Sequence, residues 1–503
     1  MGELRIGVLV VAYNAAGTLA RVLDRIPHDF RPRISGILVS DDHSADSTYL
    51  VGLGYQQIDP TLPLEVVRNP RNLGYGGNQK VGYQWAIERG FDIIVMLHGD
   101  GQYAPEKLPD MVAPLERGEA DAVFGSRLLE PGAARRGGMP LYKLVGNRIL
   151  TAFENRVAGT DLSEWHSGYR AYSVAALRDL PFERNDDDFN FDTQIIIQLV
   201  EAGKRIVEIP IPTFYGDEIC YVNGLKYARL ITRDVLRYRA HKMGFGTGDL
   251  AFASDAYEAK GSLDSSHARV LQWMRERPPG RVLDLGCADG HLAGELRAAG
   301  HHVVGVDLVA TDGVEDRVDE LVRADLDHGL PPEVTGPFDV VVAADVLEHV
   351  RRPEVLLQEL HGVLAPSGVL VASVPNFAHW YPRLRTLAGR FDYDRRGILD
   401  RTHLRFFTRR SFERLVAEHG WTVARRGYTG LPLEVADRGG SVAAGEVSGR
   451  RAPEPGRRRL AARVDVAAVR ARPTLFAYQL LYQLVPATSG RLATPRPDTV
   501  TVR

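Results

Sequence analysis

Apolar stretches that end in polar residues recur along the first hundred residues. Three of them are IGVLVVAYN (6–14), ISGILVSDDHSADST (34–48) and IIVMLHGDGQYAPE (93–106). Apolar runs of this length are typical of strands buried on both faces of a sheet. Because helical stretches separate them, the pattern predicts a parallel α/β sheet. Its polar strand ends should meet at one edge, where open sheets of this kind bind ligands.

The most informative of these strand ends carries Asp100 between Gly99 and Gly101. A carboxylate in such a loop is suited to hold a divalent cation against a pyrophosphate. A solvated aspartate in a turn is the alternative for a loop of this kind taken alone. The paired Asp41 and Asp42 after the second strand favour the cation hypothesis, because they add acidic residues at the same predicted edge.

An ordered set of motifs over residues 4–240 resembles the family 2 glycosyltransferases, in particular the polyprenyl-phosphate mannosyl- and glucosyltransferases. The motifs are VVAYN (10–14), SDDHSADST (40–48), RNLGYGGNQKVGYQWA (71–86), GDGQYAPE (99–106), GSRLL (125–129), HSGYRAYS (166–173) and VEIPIPTFY (207–215). The resemblance implies the GT-A type fold of nucleotide-sugar-dependent transferases and an inverting sugar transfer.

The resemblance also implies a site for a nucleotide-sugar donor. Asp100 would bind Mg²⁺ or Mn²⁺, which stabilises the negative charge that builds on the leaving diphosphate. The family usually has two acidic residues spaced by one in this loop, and here the first is His98. His98 could ligate Mn²⁺ without adding negative charge, or it could be a neutral side chain packed at a strand end. The donor-binding residues carried over from the family are Tyr13, Asn14, Asp41, Asp42, Gln102 and Arg170.

The acceptor side of this site is predicted further along the chain. Asp192 begins a segment with apolar residues at helical spacing, and the resemblance makes it the candidate general base. A carboxylate favoured by a helix dipole is the alternative. Lys226 and Arg229, in the basic segment 226–242, are candidates for holding an acceptor phosphate, and a solvated face is the alternative there. The acceptor is expected to be a lipid phosphate, namely a polyprenyl phosphate, or a glycan.

A second glycine-containing turn follows a strand pattern near residue 280. The stretch GRVLDLGCADGHLAGELRAAGHHVVGVDL (280–308) predicts strand, turn, helix and strand. Gly286 and Gly290 allow close approach of the backbone to a ligand, after a strand that ends in Asp284. Asp307 ends the second strand and is placed to bind ribose hydroxyls. A nicotinamide dinucleotide is the alternative ligand, but its usual G-x-G-x-x-G pattern is missing here.

The segment DLGCADG resembles the first motif of class I S-adenosylmethionine-dependent methyltransferases, with Ala288 in place of the commoner middle glycine. Later segments follow that family's order over roughly residues 257–430. The resemblance implies S-adenosyl-L-methionine as cofactor, and the fusion to a glycosyltransferase-like domain suggests a sugar hydroxyl as the acceptor. His349 and His403 are candidate bases for that hydroxyl, and a structural role is the alternative for each. The cofactor-binding residues implied are Asp284, Gly286, Gly290, Asp307, Leu308, Asp325 and Leu326.

Length and composition agree with two catalytic domains in one chain of 503 residues. We predict a glycosyltransferase domain over 1–243, a linker over 244–256 and a methyltransferase domain over 257–433. A net charge of −2 gives no argument for nucleic-acid binding. The chain has two cysteines, Cys220 and Cys287, which do not support a disulfide framework and favour a reducing cytoplasm as the compartment. No signal peptide or apolar run of roughly 18 residues is expected, so the predicted location is cytoplasmic or at the inner face of the membrane.

Residues 434–503 are predicted to be a flexible, largely disordered basic tail, because arginines, prolines and small residues dominate its first part. The short apolar segment 474–486, TLFAYQLLYQLVP, interrupts this tail. A helix there could dock on the protein or make a peripheral contact with an anionic membrane surface.

Together these patterns predict an α/β protein with two Rossmann-like domains and a bifunctional activity in cell-envelope glycan or glycolipid biosynthesis. The competing hypothesis is a methyltransferase whose glycosyltransferase domain has decayed to a binding scaffold, with His98 as its mark. Asp41, Asp42, Asp100 and the SGYR motif (167–170) argue for an active transferase.

Overall fold

The computed structural model describes residues 4–212, 224–246, 266–309, 311, 313–431 and 464–487. These residues fall into two compact units, one ending at Lys242 and the other beginning at Met243. Cys220, most of the predicted linker and much of the predicted tail lie outside the described residues. No helix in the described ranges is both long enough and apolar enough to cross a membrane.

The first unit is built on a seven-stranded sheet with the order β3-β2-β1-β4-β6-β5-β7. Its strand β6 is antiparallel to both neighbours, and the other pairs are parallel. The strands are β1 (Ile6–Ala12), β2 (Ile34–Asp41), β3 (Leu64–Arg68), β4 (Ile93–His98), β5 (Ala122–Ser126), β6 (Arg170–Ser173) and β7 (Ile206–Pro210).

The centre of this sheet explains the apolar runs of the sequence. Every residue of β1 is buried, and its side chains alternate between two cores, with Val8 and Val10 on one face and Leu9 and Val11 on the other. The helices that cover the faces are α1 (Leu19–Asp24), α2 (Thr48–Ile58), α3 (Gly74–Glu88), α4 (Leu108–Glu116), α5 (Ala133–Arg136), α6 (Leu141–Ala158), α7 (Val174–Asp179), α8 (Phe191–Glu201) and α9 (Gly224–Lys242).

The predicted ligand-binding edge is present in this sheet. Strand β1 pairs in parallel with β2 and β4, and the registers align Ala12 with Asp41 and Val11 with His98. The polar loops that follow the three strands therefore leave the sheet at the same edge, which confirms the α/β arrangement predicted from their hydrophobic pattern.

The second unit has its own seven-stranded sheet, with the order β10-β9-β8-β11-β12-β14-β13. The first five strands in this order are parallel, and β14 runs antiparallel to both β12 and β13. The strands are β8 (Arg281–Leu285), β9 (His302–Asp307), β10 (Glu320–Arg323), β11 (Phe338–Ala344), β12 (Leu364–Pro375), β13 (Trp421–Thr429) and β14 (Gln479–Pro486). Helices accompany them: α10 (Ser266–Arg275), α11 (His291–Ala298), α12 (Pro353–Val363), α13 (Trp380–Leu387), α14 (Arg409–Glu418) and α15 (Pro473–Phe476).

Strand β14 corrects the prediction for the apolar segment 474–486. That segment was expected to be a helix within a disordered tail, but most of it is an interior strand of the second sheet. Leu480 and Leu484 join the core on one face while Leu481 joins the core on the other. A short apolar run can belong to a buried strand or to a helix, and periodicity alone does not distinguish the two, which is why the sequence pattern did not identify β14. The described residues 464–471 are also helical, so the predicted tail contains folded structure.

Candidate active sites

Four non-glycine residues of the described chain have a positive φ, namely Asn14, His43, Ala288 and Asp345. Each lies within a few residues of the carboxyl end of β1, β2, β8 or β11. Non-glycine residues adopt this conformation at a cost, and such strained positions cluster at functional sites. The two sheet edges that the sequence selected are therefore also the places where the backbone is strained.

At the first edge, the loops after β1 and β2 are tied together by Asn14. Its backbone N–H donates to Ser44 Oγ at 2.8 Å, and its Oδ1 accepts from the N–H of Ala45 at 2.9 Å. The neighbouring Tyr13 has 41% of its surface exposed. Of the two residues predicted to hold the donor, Tyr13 presents a side chain to solvent and Asn14 shapes the loop.

Asp41 and Asp42 are buried at the end of β2. The carboxylate of Asp42 accepts from the N–H groups of Leu73 and Gly74, at 2.8 and 2.9 Å, where helix α3 begins. Asp41 accepts from Ser44 and lies 3.5 Å from Nε of Arg68. Both carboxylates thus hold neighbouring loops in place. Their predicted contact with a nucleoside stays a prediction.

The metal loop after β4 carries His98 and Asp100, both half-buried. Asp100 accepts from the backbone N–H of Gln102 at 3.0 Å, which fixes the turn. The imidazole of His98 lies against the ring of Tyr103, and its Nε2 is 3.4 Å from the hydroxyl oxygen of Tyr75. Burial lowers the pKa of His98 below its ordinary value, although Asp100 acts in the opposite direction. A neutral imidazole beside a carboxylate can serve as a metal ligand.

Gly168 of the SGYR motif presses against this loop. A Cβ at Gly168 would lie 2.6 Å from Nε2 of His98 and 2.7 Å from the hydroxyl oxygen of Tyr75. The N–H of Gly168 donates to the hydroxyl of Tyr103 at 2.7 Å. Only glycine fits this close approach, which packs the motif onto the metal loop.

Asp192 lies in the first turn of α8 and is 5% exposed. Its carboxylate accepts from the hydroxyl of Tyr75 at 3.1 Å and from Nε2 of Gln79 at 3.2 Å. Tyr75 therefore bridges Asp192 and His98. The fold brings the predicted base and the predicted metal loop to one place, although they are far apart in the chain.

Arg170 lies beneath Asp192 rather than at the open surface of the site. It is 1% exposed, and its guanidinium donates to the carbonyl oxygens of Trp165, Ser167 and Asp192 at 2.9 to 3.0 Å. Its Nη1 is also 3.6 Å from the Asp192 carboxylate. Arg170 is thus placed to position Asp192, and its predicted contact with the donor stays a prediction.

The predicted acceptor cations are exposed on α9. Lys226 forms an ion pair with Asp188 at 2.6 Å, and Arg229 lies one turn further along the helix. The same helix contributes Tyr227, whose hydroxyl lies 2.9 Å from Nδ1 of His166. Both cations lie at the surface, and their role toward an acceptor stays a prediction.

A buried polar chain around His166 was not predicted from the sequence. Nε2 of His166 is 3.0 Å from Oε2 of Glu154, whose other oxygen accepts from the hydroxyl of Thr193 at 3.0 Å. Thr193 directly follows Asp192, so these contacting side chains link His166, which precedes the SGYR motif, to the segment that carries the candidate base. The motif HSGYRAYS contained His166, but its partners come from two other helices and could not be read locally.

In the second unit, the glycine turn after β8 has the shape that the sequence predicted. Gly286 and Gly290 have positive φ, and a Cβ at Gly286 would lie 2.8 Å from Val346 Cγ2. Ala288 also has a positive φ of 49°, which explains why glycine is the commoner residue there. Asp284 is 2% exposed, and burial, followed by the charge of Asp307, raises its pKa to about 7.

The predicted ribose and adenine residues follow β9 and β10. Asp307 accepts from the N–H groups of Ala288 and Val309 at 2.8 and 3.0 Å, so it links the glycine turn to its own loop. Leu308 is 63% exposed, and Asp325 accepts from the N–H of Asp327 at 2.9 Å. Leu326 is partly buried and packs against a hydrophobic core of the second unit. All these residues lie at the carboxyl edge of parallel strands, as the sequence predicted.

The two candidate bases of this unit, His349 and His403, lie together. Their ring centroids are 4.8 Å apart, and Glu348 completes a cluster whose ligand atoms all lie within 4.8 Å of one another. Burial and then His349 lower the pKa of His403 to about 4. An imidazole with so low a pKa is a poor proton acceptor near neutrality, which argues against His403 as the base. Sequence reasoning missed Glu348, although it stands next to His349.

Residues 7–180 match the family described as glycosyl transferase family 2. The chain is 30% identical over 217 residues to an undecaprenyl-phosphate mannosyltransferase from Micrococcus luteus, a stretch that covers 43% of this chain and 86% of that protein. The chain belongs to glycosyl transferase family 2. A polyprenol monophosphomannose synthase from Mycolicibacterium smegmatis is 28% identical over 42% of this chain and 78% of its own length.

Residues 256–425 match the family described as a methyltransferase domain. The protein thus joins a family 2 glycosyltransferase domain to a methyltransferase domain in one chain. A glucosyl-3-phosphoglycerate synthase from Mycobacterium tuberculosis, solved with uridine diphosphate, is 20% identical with a TM-score of 0.36 over 47% of this chain and 80% of that chain.

The residues present fit the cofactors that these families imply. In the methyltransferase domain, Oδ2 of the buried Asp284 has no hydrogen-bond partner among the described residues. Such an oxygen can accept from an ammonium or hydroxyl group of a bound cofactor. In the glycosyltransferase domain, Asp100 and His98 supply an oxygen and a nitrogen donor, which Mn²⁺ accepts.

Proposed function

We propose that the glycosyltransferase domain transfers a sugar from a nucleotide-sugar donor to a polyprenyl phosphate, and that the methyltransferase domain methylates a sugar hydroxyl in the same biosynthetic sequence. The main support for the first reaction is the similarity to the Micrococcus luteus mannosyltransferase over 86% of that protein. The protein would act in the cytoplasm at the inner face of the membrane, where a lipid phosphate can be reached.

In the glycosyltransferase domain, the chain would hold the donor at the edge formed by β1, β2 and β4. Tyr13 offers an exposed ring to the donor, and Asp100 with His98 would hold Mg²⁺ or Mn²⁺ against its diphosphate. The metal, when bound, stabilises the negative charge of the leaving nucleoside diphosphate. Inversion at the anomeric carbon follows if the acceptor attacks from the face opposite that leaving group.

The role of Asp192 depends on the acceptor. A phosphate monoester is already an anion near neutral pH, with a second pKa near 6, and so needs no base. Asp192, held by Tyr75 and Arg170, would then only position the reactants, and the exposed cations Lys226 and Arg229 would attract the lipid phosphate. A sugar hydroxyl would instead need Asp192 to take up its proton.

Asp192→Asn separates these acceptors. With undecaprenyl phosphate as acceptor, we expect the variant to lose little of its turnover. With a sugar hydroxyl as acceptor, loss of the general base should instead lower the rate on the order of 10² to 10⁴. The assay incubates the full chain with radiolabelled nucleotide sugars and undecaprenyl phosphate, and measures label extracted into organic solvent. Asp110→Asn, an exposed acid on α4, is the control for an unspecific effect of a lost carboxylate.

Label that stays aqueous with every donor, together with transfer to a glycan, would reject the lipid-phosphate acceptor. Absence of transfer to any acceptor by a folded protein would favour the scaffold hypothesis for the first domain.

In the methyltransferase domain, S-adenosylmethionine supplies a methyl group carried on a positively charged sulfur when it is bound. Asp284 and the glycine turn would hold its amino-acid end, and Asp307 would accept from its ribose hydroxyls. Asp325 and Leu326 would lie by the adenine. The chain's own contribution is alignment of the acceptor with the methyl group.

A further inference from the structure

Glu348, His349 and His403 form a cluster at the carboxyl end of β11. Their ligand atoms lie within 4.8 Å of one another, although His403 is distant in the chain. The loop that carries His403 is held in place because the N–H groups of Leu404 and Arg405 both donate to the carbonyl oxygen of Glu348 at 2.9 Å. The cluster is therefore a fixed feature of the fold.

A backbone carbonyl oxygen faces Nδ1 of each histidine. Nδ1 of His349 faces the carbonyl oxygen of Thr402 at 3.3 Å, and Nδ1 of His403 faces that of Ile398 at 3.3 Å. A carbonyl oxygen only accepts, so these contacts favour the tautomer in which Nδ1 carries the proton and Nε2 keeps its lone pair. Metal-binding histidines are held in this way by outer partners that fix the tautomer.

The donor set suits a divalent cation of the first transition row. Glu348 is 1% exposed and contributes carboxylate oxygens, and two imidazole nitrogens complete three protein ligands. Imidazole suits Zn²⁺ and its neighbours, and carboxylate suits Mn²⁺ and Mg²⁺. His349 is exposed, so positions on the cation would be left open to an incoming molecule.

The cluster also lies beside the predicted cofactor turn. Strand β11 pairs with β8, and Val346 packs so closely on Gly286 that a Cβ there would be 2.8 Å from Val346 Cγ2. Asp345, between the strand and the cluster, has a φ of 60°. Strain of this kind is kept where surrounding structure requires one geometry.

We propose that Glu348, His349 and His403 bind a divalent cation that holds and activates a sugar hydroxyl for methylation. The proposal rests on the proposed function of the methyltransferase domain. The hydroxyl bound to the cation loses its proton to solvent at the exposed side of His349. Its oxygen then forms a bond to the methyl carbon while the carbon–sulfur bond breaks and leaves its electron pair on sulfur. A hydroxyl on a cation is more acidic than a free one, so no side-chain base is required.

Cation binding can be measured without a sugar acceptor. The full chain carrying Asp100→Ala, which removes the predicted cation ligand of the other domain, is titrated with Co²⁺ and followed by visible absorption and calorimetry. We expect one site with an imidazole-type spectrum. His349→Ala, an exposed position, should weaken binding on the order of 10² or more, since loss of even an outer partner costs 10- to 100-fold.

Two further variants complete the test. Glu348→Gln should weaken Co²⁺ binding similarly, and His302→Ala, an exposed histidine at the opposite end of β9, should leave it unchanged. Unchanged affinity in both His349→Ala and Glu348→Gln would overturn the proposal, as would methyl transfer that is unaffected by chelators. Loss of Co²⁺ binding in these variants, with no sugar methylated by the parent protein, would keep the cation site and reject the proposed substrate.

Discussion

At the scale of single residues, the strand-end acids of the two domains differ in what their oxygens are bonded to. Asp42 and Asp307 have their oxygens occupied by backbone N–H groups and so fix loops. Asp284 is also buried, but its Oδ2 has no hydrogen-bond partner in the described structure, and its pKa is raised to about 7. A buried carboxylate of this kind is held ready for a ligand that donates hydrogen bonds.

The raised pKa of Asp284 predicts pH-dependent cofactor binding. The folded pKa of about 7 exceeds the ordinary value, so ionising Asp284 costs free energy in the unliganded protein, and this cost develops as pH rises from about 4 to 7. A ligand that donates to the carboxylate favours its ionised form. We therefore expect affinity for S-adenosylmethionine to increase with pH, by up to about tenfold per unit below pH 7, and then to level off.

Calorimetric titrations between pH 5.5 and 7.5, in buffers with different ionisation enthalpies, would detect the proton released on binding. Asp284→Asn should bind more weakly and lose this pH dependence, because asparagine does not titrate. If the affinity for S-adenosylmethionine changed with pH equally in the variant and the parent, the assignment of Asp284 to the cofactor site would be contradicted.

At the scale of elements, β14 decides whether the second sheet is complete. It lies between β12 and β13 and supplies core residues on both faces, so the last described part of the chain is required for the sheet. The second sheet is therefore complete only when β14, which is distant in sequence from the other strands, has paired with β12 and β13. Pairing across so long a separation is costly in loop entropy, so the strand's buried apolar side chains must offset it.

Leu484→Ala should destabilise the methyltransferase domain by about 2 to 5 kcal/mol, because it removes a fully buried side chain from an interior strand. Val464→Ala, an exposed apolar residue nearby in the chain, should change stability by less than about 0.5 kcal/mol. Hydrogen exchange of peptides from β12 and β13 measures the effect, and peptides from β1 serve as an internal control. Equal exchange in both variants would show that β14 does not stabilise the sheet.

At the scale of the whole molecule, the two sets of site residues belong to separate compact units with separate cores. The two activities should therefore be separable by mutation.

Asp100→Ala should abolish sugar transfer and donor hydrolysis while leaving affinity for S-adenosylmethionine unchanged. Asp307→Ala should have the converse effect, weakening cofactor binding about tenfold or more, because a hydrogen bond to a charged group contributes roughly 1.5 to 3 kcal/mol. Transfer assays and calorimetry on both full-length variants provide the four measurements. Metal-dependent transfer at the parent rate by Asp100→Ala would remove its metal role.

The sequence by itself determined the parts of this protein that are local in the chain. Apolar runs in the sequence indicate buried parallel strands. The polar residues that follow those runs, among them Tyr13, Asp100 and Asp307, could be assigned to sheet edges because parallel strands place their carboxyl ends together. Both families could likewise be identified from ordered motifs, since each motif is a short contiguous loop.

Only the tertiary structure decided what depends on residues distant in sequence. It placed Arg170 beneath Asp192, joined His403 to Glu348 and His349, and inserted β14 into the second sheet. Hydrophobic periodicity reports whether a segment is buried, but it carries no information about which distant segment covers it. Those pairings are set by sheet order and by packing of the whole core, and so the side chains that complete each site became visible only in the fold.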